Sequence, residues 1–168
     1  LRGRAVGRGA RALGRGIARR VGRVTTGRAA IDWSGLPDDA LLLVDTAPFV
    51  YHFQDDVRYA GRFAGLFEQT AAGRLRIALS TVTLAEVLTG PYGHGRDALG
   101  KQLESALCEF DVHPLSVPIA VEAARLRARY RLRLPDAIQL ATALEIGAWG
   151  LVTHDRDFSA VQDVRVLR

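Results

Sequence analysis

The chain contains no methionine, a single cysteine and a single lysine among its 168 residues. One cysteine, Cys108, rules out a disulfide framework. The expected role for it is a small buried hydrophobe, in a protein of a reducing, cytoplasmic compartment. No apolar stretch approaches the roughly 20 residues of a membrane-spanning helix. The four histidines, His52, His94, His113 and His154, lack any paired spacing such as HxxxH. That argues against zinc and for structural or exposed roles. No Ser-His-Asp or Cys-His spacing marks a protein nucleophile.

Acidic residues are missing from residues 1–30, which hold nine of the 23 basic residues, all arginine, and seven glycines. The rest of the chain therefore carries 14 bases against 18 acids, a net charge of −4, although the whole chain is +5. The basic balance belongs to the tail and is not a basic face of the folded part. So few large apolar side chains cannot offset the entropy of ordering the segment. Residues 1–35 are expected to be a disordered or loosely helical tail. Its arginines suit RNA phosphates, an anionic membrane or a transit peptide; alternatively it lies outside the working protein. Residues 36–168 form the expected folded domain.

What remains is regular. Ala40–Asp45, "ALLLVD", and Leu75–Ser80, "LRIALS", read as buried strands. "TAPFVYHFQ" starts a helix. "DVRYAGRFAGLFEQTAAG" gives a second, with Val57, Ala60, Phe63, Ala64 and Phe67 on one face and Gly73 closing it. "TVTLAEVLTGP" predicts a short helix stopped at Gly90 and Pro91. "RDALGKQLESALCEF" is helical and "DVHPL" a short strand. "PIAVEAARLRARYR" is helical from Pro118. A helix over 136–147, a strand over 149–153 and a last strand over 164–167 follow. Alternation of strand and helix predicts an α/β fold: a three-layer α/β/α sandwich with a mainly parallel sheet of about five strands.

In such a sheet, functional groups gather beyond the carboxyl ends of the strands, where strand order reverses. Asp45 closes the first strand, Asp155 follows the fourth, Asp136 opens a helix, and Glu86 lies on the helix after the second strand. Two like charges about 4 Å apart repel by roughly 4 kcal/mol at an effective dielectric near 20. Four acids brought together must therefore hold protons or bind a cation, and all-oxygen ligands suit Mg²⁺ or Mn²⁺. Taken singly, Asp136 could be a helix cap, Asp155 and Asp157 turn residues, and Glu86 a solvated helix residue.

The stretches "LLLVDTAPFVY", "LSTVTLAEVLTGP", "LPDAIQLATAL" and "GLVTHDRDF" resemble, in order, the four motifs of PIN domains of the VapC-like branch. The resemblance covers about residues 40–168. It implies an α/β/α sandwich with an acidic pocket and Mg²⁺- or Mn²⁺-dependent hydrolysis of RNA phosphodiesters. By position, Asp45, Glu86, Asp136 and Asp155 match the acidic quartet. Asp45, Asp136 and Asp155 are the implied metal ligands, joined by Glu86 and the auxiliary Asp157. Thr46 and Thr153 match hydroxyl positions beside the metal site, with local backbone capping an equal alternative. Ala47 and Pro48 depart from the family, where Ser or Asn is common. Arg131 and Arg133 stand where many relatives carry glycine, and are candidates for RNA phosphate contact.

The resemblance also implies the toxin of a type II toxin–antitoxin pair: a homodimer, acting on an RNA substrate, neutralised by a small antitoxin, with no membrane attachment. The other readings are an RNA-processing nuclease without an antitoxin and a non-catalytic RNA- or protein-binding module. A haloacid dehalogenase-type phosphatase would need Asp-x-Asp after the first strand, and Asp45-Thr46-Ala47 does not supply it.

Overall fold

The computed structural model of the chain describes residues 31–168. Of the tail expected over residues 1–35, residues 1–30 lie outside the described residues.

Five strands form one sheet: β1 (Ala40–Val44), β2 (Leu75–Ser80), β3 (Asp111–His113), β4 (Gly150–Val152) and β5 (Val166–Leu167). Their order is β3-β2-β1-β4-β5, and every pairing is parallel. Six α-helices connect them: α1 (Thr46–Phe53), α2 (Ala60–Ala71), α3 (Thr81–Gly93), α4 (Asp97–Leu107), α5 (Val117–Tyr130) and α6 (Leu134–Glu145). A short 3₁₀ turn spans Asp157–Ala160.

β1 and β4 are apolar throughout because both faces are covered, whereas Arg76 of β2 and Asp111 of the edge strand β3 reach the surface. Successive side chains alternate between two cores. Leu42 and Val44 of β1, Leu75, Ile77 and Leu79 of β2, and Val152 of β4 pack with Phe49, Phe63, Leu66, Val87 and Leu107 of α1 to α4. Leu43, Ala78 and Leu151 point the other way, against Ile119, Ala123 and Leu126 of α5 and the buried face of α6. The sandwich is the fold the strand–helix alternation implies. Among the described residues, no helix is long and apolar enough to cross a membrane.

The topology positions the site. The chain steps outward from β1 through β2 to β3, then returns to lay β4 on the other side of β1. The order reverses between β1 and β4, so a crevice opens beyond their carboxyl ends. Asp45 leaves β1 there, and residues 153–157 leave β4 there.

Several expected boundaries and burials differ. Helix α2 begins at Ala60, and Val57, expected on its buried face, is 72% exposed. The four residues before α2 instead form turns, with the Asp56 carboxylate accepting from the backbone of Arg58 and Tyr59. Helix α3 continues through Gly90 and Pro91 to Gly93. Its last turn closes through His94 N–H to Gly90 O, helped by the His94 ring on the same carbonyl at 2.7 Å. The strand expected over 164–167 shrinks to two residues. Cys108 is exposed rather than buried, because it follows the last turn of α4 at the surface.

The packed body also reaches further back than residue 36. Trp33 and Leu36 are 5% and 7% exposed and belong to the first core. Arg74 fastens this lead-in, donating to Trp33 O at 2.6 Å, Leu36 O at 3.3 Å and the Asp38 carboxylate at 3.0 Å. Gly65 of α2 leaves room for the indole; a Cβ there would stand 2.6 Å from Trp33 Cδ1.

Candidate active site

Asp45 follows the last residue of β1 and is the N-cap of α1. Its carboxylate is 8% exposed and is held on both oxygens. Thr46 N–H donates to Oδ1 at 2.7 Å and the Thr153 hydroxyl donates to Oδ2 at 2.7 Å. Burial pushes Asp45 above the usual carboxylate range; the two hydrogen bonds oppose this, and Glu86 and Asp155 add to it. Thr153, fully buried at the end of β4, also accepts the Asp155 N–H at 3.0 Å. One hydroxyl thus ties the acid of β1 to the segment that carries Asp155. The Thr46 hydroxyl donates to the Glu86 carboxylate, joining α1 to α3. Both threonines bind acids of the crevice, and Thr153 satisfies a backbone donor as well.

Asp136 lies in the first turn of α6, whose N-cap is Arg133 with no side-chain cap bond. Capping therefore does not account for Asp136. Its Oδ2 is buried and has no hydrogen-bond partner. Burial first, then the charges of Asp45 and Asp155, raise Asp136 from the ordinary 3.8 to about 6, with Arg133 opposing. A buried polar atom without a partner costs about 1–3 kcal/mol. The Asp155 carboxylate accepts the Asp157 N–H at 2.9 Å, closing a local turn between the two acids.

Ligand oxygens of Asp136, Asp155 and Asp157 all lie within 4.8 Å of one another. Asp45, Glu86, Asp136 and Asp155 line one open cleft of about 610 Å³, together with Thr46. The five acids singled out in the sequence thus arrive at one place from four segments. They do so unevenly, since the tightest group contains Asp157, while Asp45 and Glu86 stand beside it. Arg131 and Arg133 are exposed at the turn into α6. Arg131 adopts a left-handed backbone (φ 57°).

Two residues of the cleft carried no sequence signal. Tyr51 of α1 and His154 line it, and the Tyr51 hydroxyl and His154 Nδ1 are hydrogen-bonded at 2.8 Å. The only hint was His154 standing between Thr153 and Asp155. The other histidines lie elsewhere: His52 stacks on Phe67, with ring centroids 3.9 Å apart, and His113 pairs with Asp111.

The donor set is all oxygen, buried on one side and open on the other, with an orphaned carboxylate oxygen inside. Such a set fits a hard divalent cation. Fold and site together define a parallel α/β protein with a carboxylate cleft at its topological switch point. The sequence matches the PIN domain family over residues 42–164, and the chain belongs to that family, one of nucleases.

Solved structures agree. A toxin–antitoxin complex from Klebsiella pneumoniae is 29% identical, with a TM-score of 0.61 over 76% of this chain and 96% of that one. VapBC2 from Rickettsia felis, bound to a DNA fragment from its promoter, is 17% identical, with a TM-score of 0.61 over 75% and 96%. VapC20 of Mycobacterium tuberculosis, a toxin that cleaves the sarcin–ricin loop, is 20% identical, with a TM-score of 0.51 over 74% and 98%. The search of curated proteins returns no match.

Proposed function

We propose that the chain is a Mg²⁺- or Mn²⁺-dependent endoribonuclease, the toxin of a type II toxin–antitoxin pair. The observation that carries this reading is the Asp136 carboxylate, half-buried, unpartnered at Oδ2 and surrounded by like charges. A cation would relieve every unfavourable interaction that raises its proton affinity.

Asp136, Asp155 and Asp157 are the ligands proposed for it, with Asp45 and Glu86 completing the acidic wall as direct or water-mediated ligands. A divalent ion bound there would neutralise charge on the phosphate oxygens and lower the pKa of the attacking water. Thr153 fixes Asp45 against rotation, and Thr46 does the same for Glu86. Such positioning maintains the acid set without reorganisation during the reaction. Arg131 and Arg133, exposed just before the helix that carries Asp136, are the phosphate contacts proposed for the incoming strand.

The toxin–antitoxin assignment rests on likeness to the Klebsiella pneumoniae complex. A small antitoxin would cover the cleft, and a homodimer would bury Val117 and Val121, which are 78% and 47% exposed on one side of α5.

The test is cleavage. The antitoxin-free chain is incubated with a pool of structured RNAs in Mg²⁺, Mn²⁺ or EDTA, with Asp45→Ala and Asp136→Asn alongside. Cut products that require metal and vanish in both variants are expected. Cleavage that survives EDTA, or that either folded variant retains in full, would overturn the assignment.

A further inference from the structure

Beside the acids stands an aromatic wall that the chemistry of phosphodiester hydrolysis does not use. Tyr51, Tyr59 and His154 come from three segments: α1, the turn before α2 and the loop after β4. Their rings touch: Tyr51–Tyr59 centroids are 4.8 Å apart, Tyr59–His154 4.6 Å and Tyr51–His154 5.5 Å. Behind them Phe63, fully buried in the first core, runs nearly parallel to Tyr51 at 6.2 Å. The Tyr51 hydroxyl to His154 Nδ1 bond locks two of the rings together. All three remain only partly buried, and Tyr51 and His154 face the cleft that holds the carboxylates.

His154 follows Thr153, which holds Asp45, and precedes Asp155. A phosphate among the carboxylates would therefore place its nucleoside against this wall. Aromatic faces of Tyr and His are the surfaces on which unstacked nucleobases rest in single-stranded RNA recognition. A base inside a duplex is already stacked and paired and cannot reach them.

Building on the nuclease reading, we infer that the Tyr51–His154 wall, backed by Tyr59 and Phe63, stacks an unpaired nucleobase next to the scissile phosphate. The substrate is thereby restricted to single-stranded RNA or loops. Recognition through ring faces tolerates different bases at that position. Tyr51 and His154 select the substrate and take no part in bond breaking.

The test uses the full chain and a single-stranded uridine hexamer carrying one 2-aminopurine ribonucleotide, with Ca²⁺ in place of Mg²⁺. Saturable quenching of 2-aminopurine fluorescence is expected, and none when the same strand is paired into a duplex. Tyr51→Leu and His154→Leu should each weaken binding about tenfold and remove the quench. Tyr51→Phe and His154→Phe should keep it. An abasic hexamer, which needs no altered protein, should bind as weakly to the native chain as the intact hexamer does to folded Leu variants. No quench with the native chain, an equal quench in duplex, or unchanged binding in both Leu variants would overturn the inference. RNA cleavage in Mg²⁺ is read in parallel. Cleavage without the quench removes the wall and leaves the nuclease, whereas the quench without cleavage removes the nuclease and leaves a base-binding wall.

Discussion

Asp136 is the residue on which the reading turns, and its protonation gives it a measurable signature. Its carboxyl titrates near 6 in the folded chain, against 3.8 for an ordinary aspartate. The folded state therefore holds this proton more tightly than the unfolded state. The associated stability is fully present below about pH 4 and is lost as pH rises through about 6. Asp45, raised by burial, contributes in the same sense. In chelator, thermal melts from pH 4.5 to 7.5 should show this loss, and Asp136→Asn should flatten the slope. Thr153 matters differently, because its hydroxyl donates to Asp45 and accepts from Asp155 N–H. Thr153→Val leaves both without that partner in a buried place and should cost about 1–3 kcal/mol in urea unfolding. Thr153→Ser should recover most of that loss.

Elements with strong periodicity were legible in the sequence. "ALLLVD" is a continuous apolar run and "LRIALS" one broken only by Arg76, and short runs of this kind suit buried strands. The start of α2 was not legible, because Val57 continues the apolar period although Asp56 already commits the chain to a turn. The end of α3 was misread for the opposite reason: Gly90 and Pro91 signal a stop, yet the backbone closes another turn around them. The lead-in at Trp33 was hidden by its neighbours, since Gly35 and the preceding arginine-rich segment resemble a loop. Its packing makes a sharp expectation. Gly65→Ala places a methyl against the indole and should destabilise the chain by about 1–3 kcal/mol. The double change Gly65→Ala with Trp33→Leu should cost less than the sum of the two single changes, as a double-mutant cycle would read. Of the site itself, the acids were legible as a set: each but Asp45 has a bland role when taken singly, and it was their places along the strand–helix alternation that brought them to one edge of the sheet. Tyr51 and His154 were not, because their pairing spans 103 positions of sequence and has no local pattern.

In the whole molecule, charge is divided between a basic first segment and an acidic remainder. Residues 1–30 hold nine arginines, and the rest of the chain is net −4. Removing residues 1–30 should weaken non-specific RNA binding and flatten its dependence on salt, because fewer counterions are released. Metal-dependent cleavage by the shortened chain should persist if the cleft alone carries the chemistry. The sheet order supplies the reason: one reversal between β1 and β4 brings Asp45, Asp155 and Asp157 together, and α6, which packs on β1 and β4, delivers Asp136. The carboxylates are then held close at a cost in stability, which a cation bound as proposed would offset.

That cost can be measured by the thermal midpoint of the antitoxin-free chain at pH 7.5, with chelator or with Mn²⁺, for the native sequence and Asp136→Asn. The expected result is that Asp136→Asn melts higher than the native chain in chelator, and that Mn²⁺ raises the native midpoint but not the variant's. A variant that melts lower in chelator and still gains the full Mn²⁺ shift would contradict the assignment of this cleft as a metal site.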